Sequence, residues 1–185
     1  MKRIVAICLA AAALSACGTT SVGPPGVPPP PPPPSAYTPP PSTGGFNEAD
    51  FGWSQATGKG AIIGVLSYGG GPANYTCGDV VLLPETAWSA RRTQALYLST
   101  TEAAVPANDV RARTPKDPAD QAQGAAYARY ARHAACNATN HFSFANLPNG
   151  AWYVVTLAKP TAGGPAIAVM RRVATYGFPF KTVLH

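Results

Sequence analysis

Apolar positions along the chain fall into three regimes. Ile4 to Leu14 is an unbroken apolar run of eleven residues. Residues 18–58 show no apolar period and are dominated by Pro, Gly, Ser and Thr. From 59 to 185, short apolar or alternating runs recur, most of them closed by Gly, Pro or Asn. The regimes divide the chain into a leader over 1–16, a linker over 17–58 and a single domain over 59–185, large enough to bury a core of its own.

Within the domain, Ala61–Tyr68 reads as a strand ended by Gly69-Gly70-Gly71-Pro72. Asp79–Leu83 is a second, stopped by Pro84, and Phe142-Ser143-Phe144 alternates apolar and polar. Asn149-Gly150 after Pro148 is a hairpin signal, and Ala151–Leu157 is the clearest strand, rich in aromatic and β-branched residues. Ala166–Met170 and Phe180–Leu184 close the chain. Strands so spaced, with Gly/Pro turns between them, predict an all-β sandwich. One stretch disagrees. Asp117-Pro118-Ala119-Asp120 is a helix start, with an N-cap, Pro at the first position and an early acid. Propensity alone gives one helix over 118–135. The alternative is a short helical turn followed by a strand from about Ala126 to Ala134.

The leader carries Lys2 and Arg3 before the apolar run, which is too short to span a bilayer of about 30 Å as a helix and suits a signal peptide. Leu14-Ser15-Ala16-Cys17 follows, with Gly18 after it. This resembles the bacterial lipobox: Leu, two small residues that fit a narrow peptidase subsite, then a Cys whose thiol takes a diacylglyceryl group. The resemblance implies cleavage before Cys17, lipidation of that cysteine and acylation of its amino group. Two or three chains, at about 0.8 kcal/mol per buried methylene, hold the protein to a membrane. Gly rather than Asp at position 18 favours, by resemblance to enteric lipoproteins, an outer membrane with the domain facing the periplasm. An ordinary secretory leader with a chance thiol is the plainer alternative.

Pro24 to Pro41 contains twelve prolines, seven of them consecutive from Pro28 to Pro34. Proline removes the donors that helix and sheet need. A disordered or polyproline II linker is expected, roughly 55 Å long if fully extended at about 3.1 Å per residue. Phe46, Phe51 and Trp53, flanked by Glu48 and Asp50, mark where the chain docks on the domain. Net charge is +6, and loss of Lys2 and Arg3 leaves about +4. Charged residues are only 12% of the chain and form no long basic run, so ordinary surface charge accounts for the balance. Export takes the chain away from nucleic acid, so none is expected as a partner.

Asn137 to Tyr153 resembles the signature of carboxypeptidase regulatory-like domains: Asp-x-x-Gly-x-Phe-x-Phe, a turn with Leu-Pro-x-Gly, then an aromatic-rich strand. Here Phe142, Phe144, Leu147, Pro148, Gly150, Trp152 and Tyr153 occupy those places. Gly78–Thr86 resembles the family's Val-x-Leu-x-Pro-x-Thr strand and turn. Two positions depart: Asn137 stands for the usual Asp and Asn140 for the usual Gly, both tolerable because Asn caps turns and visits the left-handed region. The resemblance implies a single Greek-key, transthyretin-like β-sandwich. In that family a strand leads into the Asn137 turn, which favours the Ala126–Ala134 strand over the helix. Shared fold assigns no task.

With Cys8 in the leader and Cys17 lipidated, Cys77 and Cys136 are an even pair in an oxidising compartment, so a disulfide between them is expected. A tetrahedral metal site from Cys77, His133, Cys136 and His141 is the alternative, although the spacings match no finger or ribbon pattern. No Gly-x-Ser-x-Gly elbow, paired-acid cleft or phosphate cradle is visible. A non-enzymatic protein without cofactor is therefore expected. Trp88, Tyr97, Tyr127, Tyr130 and Tyr176 are candidate contact aromatics if they are exposed rather than core. Trp88 beside Arg91 and Arg92 is the first candidate binding patch. The expected partners are the membrane through its lipid and another envelope protein, or alternatively a carbohydrate or cell-wall glycan.

Overall fold

The computed structural model describes residues 44–185. Cys17, the leader and most of the proline linker lie outside the described residues.

Two sheets form a sandwich. The smaller contains β1 (Gly60–Leu66) at its centre, antiparallel to β6 (His141–Leu147) and parallel to β9 (Pro179–Leu184). The larger runs in the order β4 (Glu102–Pro106), β8 (Ile167–Thr175), β7 (Gly150–Pro160), β3 (Asp79–Pro84), β5 (Arg132–Ala135), and the two-residue β2 (Tyr75–Thr76) also pairs with β7. Alternation decides which side chains meet between the sheets. Val80 and Leu82 of β3 and Trp152, Val154 and Ala158 of β7 point inward. Ile62, Leu66, Phe142, Phe144, Leu147 and Leu184 of the small sheet meet them. Phe142 and Phe144 share the inner face, as their spacing requires, and Thr156 is buried in line with Trp152 and Val154.

The larger sheet's outer face carries helices, most of which the sequence pattern did not predict. α1 (Ala87–Tyr97) and α2 (Ala107–Arg113) flank β4, and α3 (Pro118–Ala128) precedes β5. The expected strand over Ala126–Ala134 is therefore wrong over its first two thirds, up to Ala131. Asp117 caps α3 by accepting from the backbone N–H of Ala119 and Asp120, Pro118 occupies the first turn, and the Ala-rich run carries the helix to Ala128. Tight turns from Ala126, Tyr127 and Ala128 then end it, and the strand begins only at Arg132. Local capping and propensity prevailed over the register implied by resemblance.

Asn149-Gly150 does not close a hairpin. β6 pairs with β1, whereas β7 pairs with β3 and β8, so the turn carries the chain from one sheet to the other. Gly150 serves another need: a Cβ there would lie 2.1 Å from the Trp53 ring. That ring packs edge-on against Trp152 at 4.8 Å. The segment before the domain is thus part of it. A 3₁₀ helix, Glu48–Gln55, buries Phe51 completely.

Cys77 and Cys136 form a disulfide, which uses both thiols of the alternative metal set. The Asn137 turn beside it has the expected chemistry. The Asn137 side-chain carbonyl accepts from the N–H of Thr139 and of His141, both at 2.9 Å. Asn140 adopts φ 61°, in the left-handed region. Its buried side chain accepts from Cys77 N–H and donates to Tyr75 C=O, tying the turn to the neighbouring loop.

Candidate functional site

The outer face of the large sheet is covered at one end and bare at the other. At the covered end, Thr86 and Ser89 form a reciprocal capping box that starts α1 immediately after β3. Glu85, in the link between them, is buried; its carboxylate accepts from Arg172 Nε at 2.6 Å and from the Tyr153 hydroxyl at 3.3 Å. Tyr127 of α3 donates to the Pro84 carbonyl at 2.9 Å, which holds α3 down onto the sheet. Burial raises the pKa of the Tyr127 and Tyr153 phenols far above the ordinary tyrosine value, with the Glu85 carboxylate adding to the rise at both. Burial also pushes Tyr97 up to about 12.

A second apolar cluster fixes the helices to one another. Phe51, Trp88 and Tyr127 form its buried centre, with Phe46, Leu83 and Tyr130 against them. Trp88 donates its indole N–H to Gln123 Oε1 at 3.1 Å, linking α1 to α3. Phe46 meets the Trp88 ring edge-on at 4.9 Å, and Arg92 lies over it with Cζ 5.4 Å from the centroid. Trp88 and Tyr127, taken from sequence as contact aromatics if exposed, are core residues at 8% and 7% exposure.

The patch of Trp88, Arg91 and Arg92 nevertheless lines a cleft. A groove of about 350 Å³ runs between α1 and α3, walled by Arg91, Arg92, Leu96 and Gln123, with Phe46 and Trp88 also lining it. Arg91 donates to the Gly44 carbonyl. Asp120 is the acid on the α3 side, and no ion pair joins it to either arginine among the described residues. Beneath the cleft, between the helices and the sheet, lies a more apolar cavity of about 300 Å³ lined by Val81, Leu83, Leu96, Tyr97 and Val155. Arg92 and Leu96 belong to both spaces.

Elsewhere the titratable groups are scattered. His133 and Asp79 pair at 2.9 Å on exposed side chains at the sheet edge. His141 bonds to Thr139 and begins β6. Among the described residues no group of His, Cys, Asp and Glu could hold a metal ion, and no helix is long and apolar enough to cross a membrane. Sequence reasoning missed Gly124, which allows Arg92 its position: a Cβ on that glycine would lie 2.8 Å from Arg92 Nη2. The only sequence signal was a glycine within an Ala-rich helical run.

No family model matches the chain. No curated protein matches it. Among solved structures it is similar to a proposed carbohydrate-binding protein from Pseudomonas aeruginosa, at 21% identity and a TM-score of 0.46, over 75% of this chain and 96% of that one. A likeness of that degree assigns neither a ligand nor a fold family.

Proposed function

We propose that the chain is a non-enzymatic lipoprotein of the bacterial envelope. It is anchored by acyl chains on Cys17, extended on a proline linker toward the periplasm from the outer membrane, and binds another envelope protein in the α1–α3 cleft. One observation carries the choice of partner. The cleft offers two adjacent cations, Arg91 and Arg92, while its larger ring, Trp88, is covered by Arg92, Phe46 and its own core, so that half-buried Phe46 supplies the aromatic surface that is left. A sugar site needs a ring on which a pyranose can stack, whereas an acidic protein loop needs paired guanidinium groups, which bind carboxylates in fork geometry. The glycan reading remains the second function. For the domain itself, kinship with carboxypeptidase regulatory-like, transthyretin-like sandwiches is supported by the Asn137–Asn140 turn and the inward Phe142–Phe144 pair.

Photocrosslinking in intact cells tests the site. A photoreactive residue at Ala95, in the cleft wall, should yield protein adducts, and one at Ile63, on the opposite sheet, should not. Equal adducts at both positions refute the cleft. Adducts at Ala95 abolished by soluble wall fragments replace the protein reading with the glycan one. For the anchor, Cys17→Ser should accumulate as an unprocessed precursor. Normal processing and lipid labelling of that variant would rule the tether out.

A further inference from the structure

We infer that the cavity beneath the cleft is a second binding site, for a small single-chain amphiphile bearing a carboxylate, with Arg92 as the group that receives the head. Arg92 lines the cleft as well, so the two sites share that cation, but the apolar floor belongs to the cavity and not to the cleft, and is tested separately. Its volume, about 300 Å³, is roughly twice that of a ~150 Å³ apolar cavity able to admit benzene and falls at the lower end of the range for small-molecule sites. The floor is sheet: Val81 and Leu83 of β3 and Val155 of β7 all point away from the sandwich core. The walls are Thr93, Leu96 and Tyr97 of α1 and Gly124, Tyr127 and Ala128 of α3, with His133 of β5 at the margin. A depression sharing Val81 and Val155 continues to exposed Leu157 and Lys159, so the apolar floor extends past the helices.

Two observations point to an anionic head rather than to a purely apolar guest. The first is that Arg92 has no ion pair or hydrogen bond among the described residues, although it lines the cavity and is only partly exposed. Its cation is held by the Trp88 face alone. The second is Gly124. Glycine is the poorest ordinary residue for the middle of a helix, and it stands between Gln123 and Ala125 in a helix otherwise rich in alanine, the best helix former. Its lack of a Cβ gives the Arg92 guanidinium its place, since a methyl there would meet Nη2 at 2.8 Å. The conflict is with the mobile end of a side chain, so an alanine would displace the guanidinium and leave the helix intact.

The test uses the chain from Gly18 onward, secreted through a non-lipidating leader, in an amide NMR titration with decanoate below its micelle concentration. Decanoate should shift the amides of Arg92–Tyr97 and Gly124–Ala128 saturably. Arg92→Gln should weaken binding about tenfold or more, through loss of a charge-assisted contact. Gly124→Ala should also weaken it while unfolding no earlier than the parent. Decylamine, with the same chain and the opposite charge, should bind at least tenfold less well. The inference is overturned by any of four outcomes: no saturable shift with decanoate, equal binding of decylamine, undiminished binding by both variants, or tighter binding of a short peptide ending in leucine carboxylate. Failure here leaves the crosslinking result at Ala95 unaffected, so the two readings fail separately.

Discussion

Replacing Asn140 should cost more than any single contact around it. The side chain is 1% exposed and sits at φ 61°. Its carbonyl accepts from Cys77 N–H at 3.2 Å, and its amide donates to Tyr75 C=O at 2.8 Å and, more weakly, to Leu66 C=O at 3.4 Å. Asn140→Ala strands a buried N–H and a buried carbonyl, together about 2–4 kcal/mol. It also places a Cβ in the left-handed region without the compensation that Asn supplies, about 1 kcal/mol more. The expected loss is about 3–5 kcal/mol. Asn140→Gly removes the same hydrogen bonds but relieves the backbone, so it should lose about 1 kcal/mol less than the alanine variant. Chemical unfolding with the disulfide intact measures both, and the ordering matters as much as the size. If Asn140→Ala falls within about 1 kcal/mol of the parent, or Asn140→Gly proves the worse of the two, the Asn140 clamp is not what holds the turn.

Three further outcomes follow from the geometry. Removing the Cys77–Cys136 bridge by a double alanine substitution should destabilise the domain by about 4 kcal/mol, the chain-entropy value for its separation of 59 residues; unchanged unfolding midpoints would contradict it. Arg172→Ala leaves the buried Glu85 carboxylate without its cation, and because Arg172 is partly exposed the loss should be about 1–3 kcal/mol, against little change for Arg129→Ala at the exposed Glu48 pair. A phenolate absorbance titration should find Tyr97, Tyr127 and Tyr153 still protonated well above pH 10. Because their folded pKa values are raised, the stability they contribute is complete below the unfolded value near pH 10 and declines as pH rises toward about 12. Ordinary titration of all the tyrosines in a still-folded chain would exclude their burial.

The sandwich was legible where a strand's environment is set by its own alternation. Trp152, Val154 and Thr156 lie two apart and share the buried face, and the same rule placed Phe142 and Phe144. The helix layer was hard to read for two different reasons. α1 begins with Thr86 and Ser89 rather than the commoner Ser/Thr with Glu, and its inward residues are polar or mixed: Ser89, Thr93 and the aromatic Trp88. Such a helix shows little apolar period. α3 carried a clear start signal at Asp117-Pro118, which the register of a resembling family displaced, although local capping was the better guide. Whether Trp88 was core or surface was not legible, because Phe46, Phe51 and Tyr127, which enclose it, are far away in sequence.

The division of the outer sheet face bears on why the helices are there at all. If α1 and α3 only shielded apolar surface, the positions facing the sheet should be filled with large side chains, since close packing is where such a layer gains its stability. At the covered end this holds, with Tyr127 and Leu83 packed with the Phe51–Trp88 cluster. Over Val81 and Val155 it does not: beyond the flanks of Tyr127 and Leu83, α3 presents Gly124 and Ala128, the following turn presents Ala131, and a space of about 300 Å³ remains. Ala128 and Ala131 leave room that larger side chains would occupy, whereas the place beside Gly124 is taken by the Arg92 guanidinium. The arginine beside that space spends its charge on an indole face when Asp120 lines the same cleft. A layer built solely for shielding would close the space and pair the cation. A layer that keeps an apolar floor open next to an unpaired guanidinium has the arrangement of a receiving site.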